Sequence, residues 1–233
     1  NVDGFVNMAL AARDAGVRRF VYASSSAVYG DHPGLPKVES AIGEPVSPYG
    51  LTKRMNEQYA ELLRRVYGLE SVGFRYFNVF GRRQDPRSAY AAVIPMWVSR
   101  LLNGEQCFIH GDGETTRDFC HIDNVLQANL LGAVESIADT DQVYNVGCGD
   151  RTSLNLLFDQ IRQGLARMNP EIASASPVYD DFRPGDVRHS QADITKIREQ
   201  LGYEPIRTLA QGMEGTLEWY AEQFGPKPVA AIA

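Results

Sequence analysis

Two apolar segments flank a long helix in the first third of the chain, and their order restricts the possible folds more than any other feature. The apolar runs are residues 19–24 and 71–77. Ser47 and Pro48, an N-cap followed by Pro at the first helical position, begin the helix, and Gly68 ends it. Strand, helix and strand lie within about sixty residues without a hairpin signal, which predicts a right-handed parallel crossover. We therefore expect an α/β fold with a parallel sheet.

Apolar periodicity and turn residues predict the other elements. We expect helices over residues 2–15, 91–102, 123–138 and 153–168, strands over 107–110 and 143–146, and two short helices around Gly202 between 194 and 224. The strand at 143–146 should close the parallel sheet. The turn at 111–114 (Gly-Asp-Gly-Glu) lacks the ligand spacing of a calcium loop, so we expect a hairpin there. Core packing is expected for the apolar side chains of the long helix, which are Leu51, Met55, Tyr59, Leu62, Leu63 and Val66.

Tyr49 and Lys53 lie four residues apart at the start of the long helix, so their side chains share one helix face. A free phenol titrates near pH ~10, but an ammonium held beside it favours the phenolate and makes it a usable base. Such pairs also occur by chance on amphipathic helices. Here, however, the strand at 19–24 runs into the hydroxyls of Ser25 and Ser26, and open α/β sheets bind ligands beyond the carboxyl ends of strands. Together the two features predict a catalytic site at this edge.

These residues resemble the extended short-chain dehydrogenase/reductase superfamily, and within it the NAD-dependent epimerases and dehydratases, whose catalytic set is Ser or Thr with Tyr-x-x-x-Lys. The resemblance implies a Rossmann-like parallel sheet with a smaller α/β substrate lobe, and NAD as cofactor. It assigns catalytic roles to Ser26, Tyr49 and Lys53, with Ser25 as a substrate contact. The sequence begins at Asn1 and contains no Gly-rich strand-to-helix turn. We therefore expect an N-terminally truncated piece of a longer enzyme, inactive and unable to hold NAD by itself.

The resemblance also assigns binding residues. Tyr76 and Val79 are expected beside the nicotinamide, together with Tyr49 and Lys53. The further residues expected to contact a UDP-sugar are Asn78, Ala92, Val93, Phe108, Arg117, Arg183, Asp186 and Ser190. An arginine supplies a planar fork of donors that suits a diphosphate. Purely structural roles remain open as alternatives: Asn78 could cap a turn, Arg117 could pair with Asp118 or Glu114, and the residues at 182–193 could form a solvated loop.

Residues 25–27 narrow the reaction. Dehydratases of the superfamily carry Thr-Asp-Glu where this chain has Ser-Ser-Ala, and UDP-glucuronate decarboxylases carry Glu where Ala27 stands. Without that carboxylate, the remaining groups suit epimerisation at C4. Ser190 replaces a bulky Tyr of UDP-galactose 4-epimerases that exclude acetamido sugars, so the chain most resembles UDP-N-acetylglucosamine 4-epimerases. A UDP-glucose or UDP-glucuronate 4-epimerase, a 4-keto-sugar reductase and a non-catalytic UDP-binding fragment remain alternatives.

Composition argues against several other classes. The 233 residues are 44% hydrophobic and 22% charged, which suffices for a sizeable core. A net charge of −6 without a basic run argues against nucleic acid as a partner, and no apolar run is long enough to span a membrane. Cys107, Cys120 and Cys148 show no metal-ligand spacing, which predicts buried thiols, a cytoplasmic location and no metal site.

The resemblance further predicts two lobes and a dimer. Residues 1–83 and 123–150 are expected to belong to the NAD-binding domain, residues 84–122 and 151–225 to the UDP-sugar lobe, and residues 226–233 to a tail. Members of the superfamily often dimerise through a four-helix bundle. We therefore expect a homodimer with the helices at 2–15 and 51–66 at its interface.

Overall fold

A parallel sheet organises the chain in the computed structural model, which describes residues 1–88, 92–135, 143–183 and 185–225. Its strand order is β1-β2-β7. The elements are α1 Asp3–Asp14, β1 Phe20–Ser25, α2 Pro48–Tyr67, β2 Ser71–Tyr76, β3 Asn78–Phe80, α3 Val93–Leu102, β4 Phe108–His110, β5 Thr116–Arg117, β6 Phe119–His121, α4 Ile122–Val134, β7 Val143–Val146, β8 Thr152–Ser153, α5 Leu154–Ala166, β9 Val178–Asp180, α6 Thr195–Leu201 and α7 Leu209–Phe224. Short 3-10 turns follow β1 and precede β9.

The predicted crossover is confirmed. β1 and β2 pair in parallel, with Phe20 opposite Ser71 and Ser25 opposite Tyr76, and α2 connects them. β7 pairs in parallel with β2 and closes the sheet as predicted. The carboxyl ends of all three strands therefore meet at one edge.

Local sequence explains where the helices begin and end. The Ser47 hydroxyl accepts the N–H of Gly50 at 3.0 Å, and α2 ends at Gly68, which is left-handed. Ser153 caps α5 in the same way, as predicted. Pro95 falls in the first turn of α3, where a missing N–H is tolerated.

The hairpin predicted at 111–114 is wrong. β4 instead pairs in parallel with β9, and β5 pairs antiparallel with β8. The turn is stabilised from elsewhere in the chain, because both carboxylate oxygens of Asp112 accept bonds from Arg188, at 2.8 and 2.6 Å. A local turn signal could not reveal partners so distant in sequence.

The buried side chains form two main clusters. One surrounds the sheet and includes Phe74, Tyr144 and Tyr203 together with α6. The other lies among α3, α5 and α7 and is centred on Trp97 and Phe158. The lobe boundaries themselves stay a prediction. Cys107 and Cys120 are buried as expected, whereas Cys148 is half-buried.

The apolar face of α2 departs from expectation. Leu63 is buried, but four of its apolar neighbours are 37–56% exposed and do not pack in the core of the chain; they are Leu51, Tyr59, Leu62 and Val66. Met8 of α1 is also exposed. The core-packing prediction is therefore wrong for these four residues.

Three predictions extend beyond the described residues: the tail at 226–233, the end of the helix expected at 123–138, and residue 91 at the start of another. Within the described ranges, no helix combines the length and apolarity needed to cross a membrane. No group of His, Cys, Asp and Glu in the same ranges could hold a metal ion.

Candidate active site

The first turns of α2 lie along the carboxyl end of β1. Lys53 Nζ donates to the carbonyl of Ala23 at 2.8 Å, and the hydroxyl of Ser24 donates to the carboxylate of Glu57. Because Lys53 and Glu57 are one helical turn apart, they bind successive residues of the strand. We name residues 23–27 and the first three turns of α2 the catalytic corner.

Gly50 brings α2 close to the turn after β1. A Cβ at this position would lie 2.6 Å from the carbonyl oxygen of Ala27, well inside van der Waals contact. Only glycine therefore lets α2 begin so near the turn that contains Ser26, and this closeness places the adjacent Tyr49 beside that turn. Sequence reasoning did not single out Gly50, because its contact arises from tertiary packing.

The structure brings the three predicted catalytic residues to this corner. Tyr49 is 48% exposed, and Lys53 Nζ lies 5.8 Å from the centre of its ring. Burial lowers the pKa of Lys53. Ser26 is half-buried at the start of the 3-10 turn. An accessible phenol, a nearby ammonium and a hydroxyl thus meet at the strand end.

The expected contacts of Tyr49, Lys53, Tyr76 and Val79 with a nicotinamide nucleotide stay a prediction. An ammonium carries three donors, so the bond of Lys53 to Ala23 leaves donors for the vicinal hydroxyls of a ribose. The hydroxyl of Tyr76 is already bonded to Asn129 of α4. We therefore expect the backbone of Tyr76, rather than its hydroxyl, to contact the cofactor. Val79 is half-buried in β3, beside the same sheet edge.

Ser25 has a local structural task. Its hydroxyl oxygen accepts the N–H of Ala27 at 3.1 Å and caps the 3-10 turn, and the residue is 9% exposed. The hydroxyl hydrogen can still donate, and the expected substrate contact of Ser25 stays a prediction.

A buried ion pair supports the catalytic corner from within. Arg75 of β2 donates to both carboxylate oxygens of Glu57, at 2.9 and 2.8 Å, and the two side chains are 5% and 10% exposed. The guanidinium also lies 4.9 Å from the ring centre of Tyr29, whose pKa burial raises to about 12. The helix that bears Tyr49 is therefore tied to the sheet by charge as well as packing.

A second group of charged side chains lies outside the catalytic corner. Arg117 donates to Asp186 at 2.5 Å, and Arg183 lies 2.7 Å from Nε2 of His110. We name these four residues the arginine cluster. The alternative that Arg117 pairs with Asp118 or Glu114 is wrong, because its carboxylate partner is Asp186. Two residues assigned separately to substrate contact are thus brought together.

The remaining predicted contacts occupy the surrounding elements. Asn78 begins β3 and donates its N–H to the carbonyl of Asp118 at 3.0 Å, so it does not simply cap a turn. Ala92 is the N-cap of α3 and Val93 its first residue. Phe108 is 39% exposed on β4, the strand that carries His110.

Ser190 completes this set. It is 9% exposed, and its N–H donates to the carbonyl of Thr116 at 3.1 Å. The predicted contacts therefore belong to separate segments of chain, and among the described residues no hydrogen bond or ion pair joins the catalytic corner to the arginine cluster.

The fold and this site define a short-chain dehydrogenase/reductase-like protein. Residues 1–147 match the model of the NAD dependent epimerase/dehydratase family, and the chain belongs to this family. Its cofactor is NAD. The predicted α/β, Rossmann-like fold class is confirmed by the solved relatives.

Relatives of this chain act on several nucleotide sugars. A UDP-N-acetylglucosamine 4-epimerase of Methanobrevibacter ruminantium, solved with UDP-N-acetylmuramic acid, is 38% identical with a TM-score of 0.88, over 96% of this chain and 69% of that one. The UDP-glucose 4-epimerase of Mycolicibacterium smegmatis is 37% identical over 94% of this chain and 68% of its own length. A UDP-glucuronic acid 4-epimerase of Bacillus cereus, solved with UDP-glucuronic acid and NAD, is 26% identical with a TM-score of 0.82, over 94% and 66%.

Proposed function

We propose that this chain carries the catalytic and sugar-binding parts of an NAD-dependent 4-epimerase that interconverts UDP-GlcNAc and UDP-GalNAc. The observation that carries the proposal is the catalytic corner, where Tyr49 and Lys53 stand against a turn whose residue 27 is Ala. A base, a cation and a hydroxyl suffice to move a proton at C4. Elimination of water would need an added carboxylic acid, which Ala27 does not supply.

Tyr49 acts as the base in this proposal. Its phenolate oxygen removes the proton of the C4 hydroxyl with the ammonium of Lys53 close by, while Ser26 hydrogen-bonds the C4 oxygen. NAD, which Tyr49, Lys53, Tyr76 and Val79 would hold, would supply reversible hydride acceptance at C4. Tyr49 then gives the proton back to the C4 oxygen of the inverted sugar, so the chain ends the cycle in its starting protonation state.

The arginine cluster anchors the other end of the substrate. Arg117 and Arg183 carry the positive charge that a diphosphate needs, and Asp186 suits the vicinal hydroxyls of the uridine ribose. A diphosphate held at this side leaves the sugar to turn, so that its other face meets the catalytic corner.

Ser190 sets the sugar preference. The side chain is much smaller than a Tyr, which is expected to leave room for an acetamido group at C2. A roomy pocket rejects a smaller ligand only weakly, so UDP-glucose is expected to be converted as well, although more slowly. A UDP-glucose or UDP-glucuronate 4-epimerase is the competing proposal.

The exposed apolar face of α2, with Met8 of α1, suits a dimer interface. We include a homodimer in the proposal, because four exposed apolar side chains on one helix are the kind of surface that protein contacts cover.

The test follows the anomeric protons of UDP-GlcNAc by NMR, with the complete gene product and no added reductant. Appearance of UDP-GalNAc to a steady ratio is expected, and Tyr49→Phe should lower the rate by roughly 10²–10⁴-fold. Tyr67→Phe is the matched control, since Tyr67 is exposed at the far end of the same helix.

Faster conversion of UDP-glucose or UDP-glucuronate than of UDP-GlcNAc would refute the acetamido assignment. Ser190→Tyr should selectively remove activity on the acetylated sugar.

A further inference from the structure

The carboxylate of Asp118 is fully buried, with 0% exposure, and three backbone donors surround it. Oδ1 accepts the N–H of Cys148 at 2.8 Å, and Oδ2 accepts those of Gly149 at 3.0 Å and Ala192 at 3.1 Å. Buried carboxylates are costly unless they are satisfied in this way. The side chain thus joins the end of β7 to the chain around residue 192.

The backbone of Asp118 reaches further predicted contacts. Its carbonyl accepts the N–H of Asn78 at 3.0 Å, and Arg117 is its immediate neighbour. Ala192, which its carboxylate holds, lies two residues after Ser190. One buried residue is therefore bonded to, or adjacent to, three chain segments that carry proposed substrate contacts.

The packing around the carboxylate is tight. A Cβ at Gly147 would lie 2.7 Å from Oδ2 of Asp118 and 2.8 Å from Cβ of Ala192. The chain at residues 147 and 192 therefore packs closely against the carboxylate, and its three hydrogen bonds help to hold these segments together. We expect a change in these hydrogen bonds to disturb that packing.

We propose that Asp118 is a positioning residue of the UDP-sugar site, whose ionised carboxylate holds Asn78, Arg117 and Ser190 in register for the substrate. This inference rests on the proposed function. When the carboxyl group is protonated, one oxygen carries a hydrogen and no longer accepts equally from the facing N–H groups. The segments that carry these residues then shift relative to one another, and the substrate binds more weakly.

The direction of the pH dependence follows from burial, which raises the pKa of Asp118 to about 6 even though the three N–H bonds lower it. The ionised form prevails above that value, so affinity is greatest at neutral pH and falls as the pH drops through about 6. The titratable and charged groups near the carboxyl are Asp150, Cys148, Cys120, Tyr203 and Arg207. His189, beside Ser190, has a pKa lowered by burial and is the rival origin of such a profile.

The experiment measures the Kd of UDP-GlcNAc by calorimetry from pH 5 to pH 8, with KM and kcat for the same substrate. Asp118→Asn mimics the neutral carboxyl, so its Kd should be raised roughly ten-fold at pH 7.5 and stay flat with pH. The wild-type Kd should rise toward the variant value at low pH. His189→Gln should keep the wild-type profile.

Asp193→Asn is the matched control, because Asp193 lies close in sequence to the Ser190 segment and its carboxylate accepts the N–H of Thr195, the first residue of α6, at 2.8 Å. Its Kd and pH profile should equal those of the wild type. A flat wild-type profile, or an Asp118→Asn profile that still bends near pH 6, overturns the inference. If Asp118→Asn does not fold, the wild-type and His189→Gln profiles decide. Tight binding of UDP-GlcNAc without its epimerisation would refute the proposed function and leave this inference standing.

Discussion

The catalytic corner and the arginine cluster are both charged, but the protein holds their charges differently. Glu57 of the catalytic corner and its partner Arg75 of β2 are about one-tenth exposed or less and share two hydrogen bonds within the fold. In the arginine cluster, Asp186 is 45% exposed and bonds Arg117 from the surface. One set of charges keeps its geometry without a ligand, whereas the other has partners that a ligand can replace.

This contrast separates catalysis from affinity. A base and its cation must be preorganised, since a displacement of about 1 Å can cost on the order of 10²-fold in rate. Groups that grasp a diphosphate can adjust as it binds. We therefore expect changes within the catalytic corner to affect stability and kcat, and changes in the arginine cluster to affect nucleotide affinity.

The largest effect should follow from Glu57→Gln. It leaves the buried guanidinium of Arg75 without its carboxylate, which costs about 3–5 kcal/mol of unfolding free energy. Urea denaturation followed by circular dichroism measures the change. Asp159→Asn is the control, because it breaks a half-exposed pair with Arg162 one turn along α5 and should cost no more than about 1 kcal/mol. Equal losses in both variants would contradict the preorganised corner.

A smaller effect is expected for Gly50→Ala. The added methyl group meets the carbonyl of Ala27 and must push α2 away, which costs roughly 1–3 kcal/mol of stability and lowers kcat about ten-fold or more. Gly215→Ala in α7 is the matched control, because a Cβ there meets nothing within 4 Å. It should gain about 0.5–1 kcal/mol, since alanine favours helix over glycine. An unchanged kcat for Gly50→Ala would show that the close approach does not position Tyr49.

The smallest effect should come from Arg117→Ala. Loss of this guanidinium should weaken UDP binding by about ten-fold, because a hydrogen bond to a charged group contributes about 1.5–3 kcal/mol and the free protein also loses its bond to Asp186. Titration calorimetry with UDP measures the change, and the unfolding free energy should fall by less than in Glu57→Gln. Arg198→Ala, which breaks an exposed pair with Glu204, should bind UDP normally. A large loss of kcat at saturating substrate would place Arg117 in the chemistry instead.

Much of the fold could be predicted because its signals are local. Ser47, Gly68 and Ser153 mark helix ends by their own backbone chemistry, and the structure agrees with them. The hairpin prediction at 111–114 failed because β4 pairs with β9, which lies far along the chain. The core-packing prediction for the apolar face of α2 failed because periodicity shows which side chains share a face, but not what covers that face.

The candidate site was predictable to the extent that its residues are spaced by a helix or follow a strand. Tyr49 and Lys53 are of this kind, and Glu57 continues the same four-residue spacing, so it could have been found. Gly50 and Asp118 could not, because their importance depends on the carbonyl of Ala27 and on the N–H of Ala192, which only the folded chain brings near. Residues that support a site are defined by their neighbours rather than by their spacing.

The bond between Arg117 and Asp186 means that the anion site already contains an anion. Nucleotide binding there is an ion exchange, in which a diphosphate displaces a tethered carboxylate instead of meeting a bare cation. Less charge is neutralised in net terms, so affinity should depend on ionic strength less steeply than the number of arginines suggests. The tethered carboxylate also discriminates among anions, because only a ligand that binds better than Asp186 can take its place.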